Sequence, residues 1–153
     1  MNMTTFDFED GNGPVPAHQH PNGGGWVAET AFVGPDALVY DNARVYGNAQ
    51  VYDNAGVYGD ARVYGNAQVY GDAQVWVDAL VYGNALVYGN AQVYGDARVY
   101  GNAKVYDNAR VYGNARVFGI AQVYGDAWVY GDENNEDIFI EMKGKRYKLV
   151  EVV

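Results

Sequence analysis

The chain has 153 residues, 49% of them hydrophobic and 19% charged, with a net charge of −9 and no cysteine. That length suits one domain with appendages, and the missing thiols exclude both a disulfide framework and a thiolate site. The acidic balance argues against non-specific nucleic-acid binding as the main task, and no apolar run reaches membrane-spanning length.

Residues 1–25 carry no repeat and read as an extended N-terminal arm. Phe6-Asp7-Phe8-Glu9 alternates over a short stretch, and Phe6 and Phe8 are the candidate anchor by which the arm docks to a larger protein assembly. Gly11 to Pro16 and Asn22 to Gly25 are turn and linker chemistry. On an extended strand the rings of His18 and His20 would share one side, and three chains could offer six imidazoles to one octahedral ion. One chain brings only two ligands where three or more are usual, so polar arm residues outweigh a metal site and no metal or cofactor is expected. The acidic, apolar-poor start does not read as a signal peptide. The expected location is the cytoplasm or a virus particle.

From residue 26 to 132 the chain is periodic. Eighteen valines stand at every sixth position from Val27 to Val129, and seventeen alanines at every sixth from Ala31 to Ala127. Ala and Val, two apart, point to one side of an extended chain; Tyr and the variable residue point to the other. Gly-Asn or Gly-Asp then supplies a corner, because Gly takes φ > 0 freely and Asn or Asp bonds its own backbone. A unit of six is too short to bury anything alone, so the repeat dictates a solenoid.

Residues 18 apart share chemistry, which fixes three sides per coil and about six coils. The variable position gives Arg44, Arg62, Leu80, Arg98 and Arg116 on one face, and Gln50, Gln68, Leu86, Lys104 and Gln122 on the next. Tyrosines form outward ladders on all three faces, and Asp60, Asp78 and Asp96 stack on one corner. Corner amides and solvent account for those carboxylates more simply than Ca²⁺, which needs six to eight oxygens. Trp26 is expected to plug the floor of the first coil.

Two features mark an interaction surface. The Arg44, Arg62, Arg98, Arg116 face, beside its tyrosines, has a composition enriched at protein interfaces. Trp76, Val77, Leu80 and Leu86 replace Tyr, Gly, Arg and Gln within one coil, as an apolar belt at mid-height. Stacked rings protect the ladder beneath them, a structural role. Continuous aromatic walls also exceed what a soluble monomer leaves bare, which sets oligomer or partner contact beside it, with a homotrimer the expected assembly. Residues 133–153 follow, with alternation on either side of Lys143-Gly144 that predicts a β-hairpin. Its apolar face, Ile138, Ile140, Met142, Tyr147 and Leu149, is expected to cap the last coil with Phe118, Ile120 and Trp128.

The unit Val-x-x-Asn-Ala-x, as in Val45 to Gln50, resembles the hexapeptide-repeat superfamily, with Tyr where that family more often has Gly. Over residues 26–132 the resemblance implies an all-β fold, a single-chain left-handed parallel β-helix of triangular section. Many members are trimeric acyltransferases that use a histidine base and a loop protruding from a coil. Here the repeat runs from Ala31 to Asp132 without insertion and without His, Ser or Thr, so no general base of the usual kind stands on the wall. The Gly24-Gly25-Trp26-Val27 lead-in is similar to that of phage and bacterial hexapeptide-repeat proteins. The expectation is therefore a non-enzymatic spacer docked to a larger assembly, a bacteriophage virion component such as a decoration, fibre or spike protein. The rivals are a carbohydrate-binding module using its tyrosine ladders, an acyltransferase, and, distantly, a DNA mimic.

Overall fold

A computed structural model describes residues 4–131 and 137–148. Two strands precede the coils: β1 (Thr5–Asp7) and β2 (Pro14–Gln19). The repeat then deals its strands in rotation onto three walls. Wall 1 takes β3 (Trp26–Ala28), β6 (Arg44–Val45), β9 (Arg62–Val63), β12 (Leu80–Val81), β15 (Arg98–Val99) and β18 (Arg116–Val117). Wall 2 takes β4 (Phe32–Val33), β7 (Gln50–Val51), β10 (Gln68–Val69), β13 (Leu86–Val87), β16 (Lys104–Val105) and β19 (Gln122–Val123). Wall 3 takes β5 (Leu38–Val39), β8 (Gly56–Val57), β11 (Gln74–Val75), β14 (Gln92–Val93), β17 (Arg110–Tyr112) and β20 (Trp128–Gly131). The hairpin β21 (Ile138–Met142) and β22 (Lys145–Lys148) extends wall 3.

Within the walls every pairing is parallel and in 18-residue register, as in Arg44↔Arg62 and Val45↔Val63. The result is a β-solenoid of about six turns. Each side donates three backbone N–H groups to the next coil: Arg44 to Ala61 O at 3.1 Å, Tyr46 to Val63 O at 3.0 Å, Asn48 to Gly65 O at 2.8 Å. Alanine and valine fill the interior, fully buried from Val39 to Ala115. Ala leaves room at the corner, and β-branched Val suits the pleated strand.

Corners follow the Gly-Asn rule with informative exceptions. The first corner residue is left-handed, as at Gly47 (φ 65°), and Asp41, Asp53 and Asp107 hold the same conformation at 59°, 56° and 57°. Their carboxylates accept the N–H of the residue one coil on, Gly59 at 3.4 Å, Gly71 at 3.1 Å and Gly125 at 3.1 Å. That bond offsets the left-handed penalty that a side chain incurs.

The N-terminal segment corrects the expectation of an extended arm. β1 and β2 form an antiparallel hairpin, and β2 continues onto β3. The hairpin folds back over the outside of wall 1, where Phe8 is 1% exposed in a cluster with Ala17, Ala28 and Tyr46. Phe8 is therefore not an anchor for another protein, because this chain buries it. Trp26 does not plug the floor either. It stands at the outward variable position beside Arg44, stacked on Phe6 at 4.6 Å.

At the other end, the Lys143-Gly144 turn has positive φ at both residues (51° and 75°), as a tight two-residue hairpin requires. Ile138 and Ile140 pack against the core. The cap is one-sided, however: Phe118 is 55% and Ile120 85% exposed, and Trp128, Met142 and Tyr147 are exposed as well. Among the described residues the hairpin pairs only with β20, and β18 and β19 end the other two walls. Leu149 and the 132–136 connection lie outside the described residues.

Candidate interaction surface

Outward tyrosines stack coil upon coil because each wall repeats at strand spacing. On wall 1, Tyr46, Tyr64, Tyr82 and Tyr100 lie 4.9 Å apart with planes within 4°. Wall 2 stacks Tyr52, Tyr70, Tyr88, Tyr106 and Tyr124, and wall 3 stacks Tyr40, Tyr58, Trp76, Tyr94, Tyr112 and Tyr130. Within the columns each ring face is thus covered by the next ring, and the edges and hydroxyls meet solvent; Phe118 and Tyr124, at the column ends, are exposed. Several hydroxyls donate to the glutamine of the next coil, Tyr52 to Gln68 at 3.3 Å and Tyr58 to Gln74 at 3.1 Å. Burial pushes the Tyr46 phenol above its ordinary pKa although Arg62 pulls it down; burial and then the neighbouring rings Tyr46 and Tyr82 raise Tyr64.

Terminal hairpins complete two of these columns. Ala28 and Gly34 stand where walls 1 and 2 would otherwise begin with an aromatic ring. Phe8 supplies the first ring on wall 1, stacked on Tyr46 at 4.9 Å. Phe139 supplies the last on wall 3, stacked on Tyr130 at 5.6 Å and covered by the Arg146 guanidinium at 5.1 Å. Neither contribution is visible in the repeat itself. The signal that could have found the first is Ala28 at a tyrosine position, with Phe6 and Phe8 standing in the non-repeat segment upstream.

The predicted surface residues separate once placed. Arg44, Arg62, Leu80, Arg98 and Arg116 do form one row on wall 1. Arg44 is occupied: its guanidinium lies 5.1 Å over Phe6, donates to Phe8 O at 3.4 Å and meets Glu9 at 3.5 Å. Arg44, Arg62 and Leu80 line an open groove of about 360 Å³ with Asn42, Asp60 and Asp78. The apolar belt is not one patch. Trp76 lies within the wall 3 column, Val77 on the following corner, Leu80 on wall 1 and Leu86 on wall 2.

His18 and His20 are not brought together. His18 Nδ1 pairs with Glu29 at 2.5 Å, while buried His20 donates through Nε2 to Ala37 O at 2.8 Å. Among the described residues, no three His, Cys, Asp or Glu side chains gather as a metal site. In the Asp60 column, Asn42 Nδ2 donates to Asp60 Oδ1 at 3.1 Å, as corner amides do elsewhere.

Six segments, residues 37–53, 49–65, 55–71, 79–93, 91–107 and 109–119, match the YdcK Beta solenoid repeat. The gap between the third and fourth segments contains Trp76 and Val77. No curated protein matches the chain. A repeat of this kind fits a structural or interaction role. With these matches on three parallel walls, the chain is a β-solenoid repeat protein, its coils similar to the YdcK Beta solenoid repeat.

Proposed function

We propose that the protein is a non-enzymatic structural post, a stiff rod that spaces or presents partners in a larger assembly. The observation that carries this reading is the unbroken ladder. From Phe32 N–H on Ala49 O to Arg110 N–H on Ala127 O, each coil hands the same bonds to the next. Between Trp26 and Gly131 no loop leaves the walls to build a cleft, and the outward aromatic side chains are engaged in columns along the axis. The resemblance of the Gly24 to Val27 lead-in supports the finer reading, a bacteriophage virion component. With Phe8 buried, docking to such a particle falls to the walls and the two ends rather than to a free arm.

The carbohydrate-binding alternative is disfavoured by the same columns. A sugar stacks on an aromatic face, and within the columns the faces are covered by the neighbouring rings. Calorimetric titration with acetyl-CoA and with a glycan panel tests the reading. No saturable heat is expected; stoichiometric heat with either ligand class contradicts the structural post. Antibody labelling of purified phage particles tests the virion placement, which unlabelled particles would remove.

A further inference from the structure

Asn-Gly occurs twice in the chain, at Asn12-Gly13 and Asn22-Gly23, both outside the repeat. The pair is self-reactive, because glycine has no side chain to hinder attack by its own nitrogen on the preceding side-chain amide. Asparagine is a thermally labile residue for this reason. Every asparagine from Asn42 to Asn114 is followed instead by alanine. There the nitrogen that would attack is buried and already donates, as Ala49 N–H does to Tyr46 O and Ala85 N–H to Tyr82 O, each at 3.4 Å.

The two Asn-Gly pairs differ in how firmly they are held. Asn22 donates through Nδ2 to Ala37 O at 3.2 Å, and its carbonyl accepts Val39 N–H at 3.2 Å. Gly23 is wedged on the Val39–Tyr40 backbone, where even a Cβ would come within 2.4 Å of Val39 O. Closing a ring through Gly23 N would break both bonds and move that backbone. Asn12 is exposed at the tip between β1 and β2, and Gly13 N–H donates to no described group. Gly11 and Gly13 are both left-handed (φ 90° and 69°), and a Cβ on either would meet nothing within 4 Å, so the tip has room to turn. Among the described residues Asn12 is held only by Asp10, which accepts its N–H and its Nδ2, each at 3.1 Å.

We propose that Asn12 is a self-modifying site, where spontaneous deamidation turns a neutral amide into a carboxylate and loosens the N-terminal hairpin. Gly13 N loses its proton to solvent base and bonds to Asn12 Cγ. The Cγ–Nδ2 bond then breaks, and the nitrogen leaves as ammonia, taking a proton back from solvent. Water opens the cyclic imide at either carbonyl, giving aspartate or isoaspartate. The Asn12 backbone N–H, and then its side chain, hold the Asp10 carboxyl below its usual range, so the product carboxylate meets a like charge where Asp10 had a donor. Isoaspartate also lengthens the backbone within the turn. That turn carries Glu9, which pairs with Arg44 at 3.5 Å, and Phe8, the first ring of the wall 1 column. The reaction therefore marks the age of each molecule at one end of its rod, whatever the post carries.

The test incubates the full chain in neutral buffer at physiological temperature, folded and, in parallel, unfolded in urea. Peptide mapping by mass spectrometry reads conversion at each asparagine, and enzymatic methylation of isoaspartate confirms the product. Unfolded, Asn12 and Asn22 should convert at similar rates. Folded, Asn12 should convert about tenfold faster than Asn22, because only Asn22 must first open locally. Gly13→Ala should slow conversion of Asn12 about tenfold, since a Cβ obstructs the attack and resists the left-handed backbone. Asn12→Gln keeps a donor for Asp10 but closes a ring far more slowly, and should leave the tip unmodified with circular dichroism unchanged. After conversion, the Ala17 amide, which donates to Thr4 O at 3.0 Å, should exchange hydrogen faster, while Arg62 on wall 1 should not change. Asn12 left intact in the folded chain, Asn22 converting as fast as Asn12 there, or an Ala17 amide unaffected by conversion would overturn the proposal.

Discussion

Val77 holds a left-handed corner at φ 63°, where the equivalent positions one coil away are Gly59 and Gly95. A β-branched side chain is poorly suited to that region, and unlike Asp41, Asp53 and Asp107 it has no carboxylate to bond the next coil. Val77→Gly should therefore stabilise the fold by about 1 kcal/mol, the gain in strain exceeding the added freedom of the unfolded chain. Denaturant unfolding measures it; an unchanged or lower midpoint would show that Val77 makes a stabilising contact at this corner. Tyrosines give a second residue-level expectation. The phenols of Tyr46, Tyr64, Tyr70 and Tyr112 are held above the ordinary value of 10.0, first by burial. The folded chain then keeps protons that the unfolded chain has released. Their contribution is fully present below pH 10.0, the unfolded value, and is lost as pH rises through the raised folded values. Alkaline melts should show stability falling above that pH, in step with late phenolate absorbance. Ordinary titration with flat stability would contradict the packing of the columns.

At the scale of elements, the hairpins are the parts the repeat could not announce. Period six made walls, corners and inward faces readable, because every residue's neighbour one coil on is fixed by adding 18. The contact of Phe8 with Ala28 and Tyr46 obeys no period, and a short Phe-Asp-Phe stretch looks the same whether it folds back or extends. The structure explains the choice: a missing ring at Ala28 leaves a slot that Phe8 fills. Phe8→Ala should cost about 3 kcal/mol, typical for a buried aromatic, and should fray the first coil. Ala28→Tyr alone should also destabilise, by about 1–3 kcal/mol, since two rings then compete for one place. Combined, the two changes should recover part of the loss, because the wall supplies its own ring. Additive losses in the double variant would show that Phe8 does not complete the column. The interaction surface was legible only as columns. Which of its arginines stays free depended on the same hairpin, through Arg44.

Over the whole molecule, each coil is stable only between neighbours, so the middle coils should open together and the ends first. The ladder makes this specific to single amides. Amide hydrogen exchange at low protein concentration is the measurement that tests it most directly. Arg62, Tyr64, Asn66, Leu80, Tyr82 and Asn84 each donate to a following coil and should exchange together, by opening of the stack. Phe118, Ile120 and Tyr124, one coil past the last donors to a full neighbour, should exchange orders of magnitude faster. Fast exchange at the middle positions, or equal protection at the terminal rim, would contradict a continuous rod that ends where these walls do.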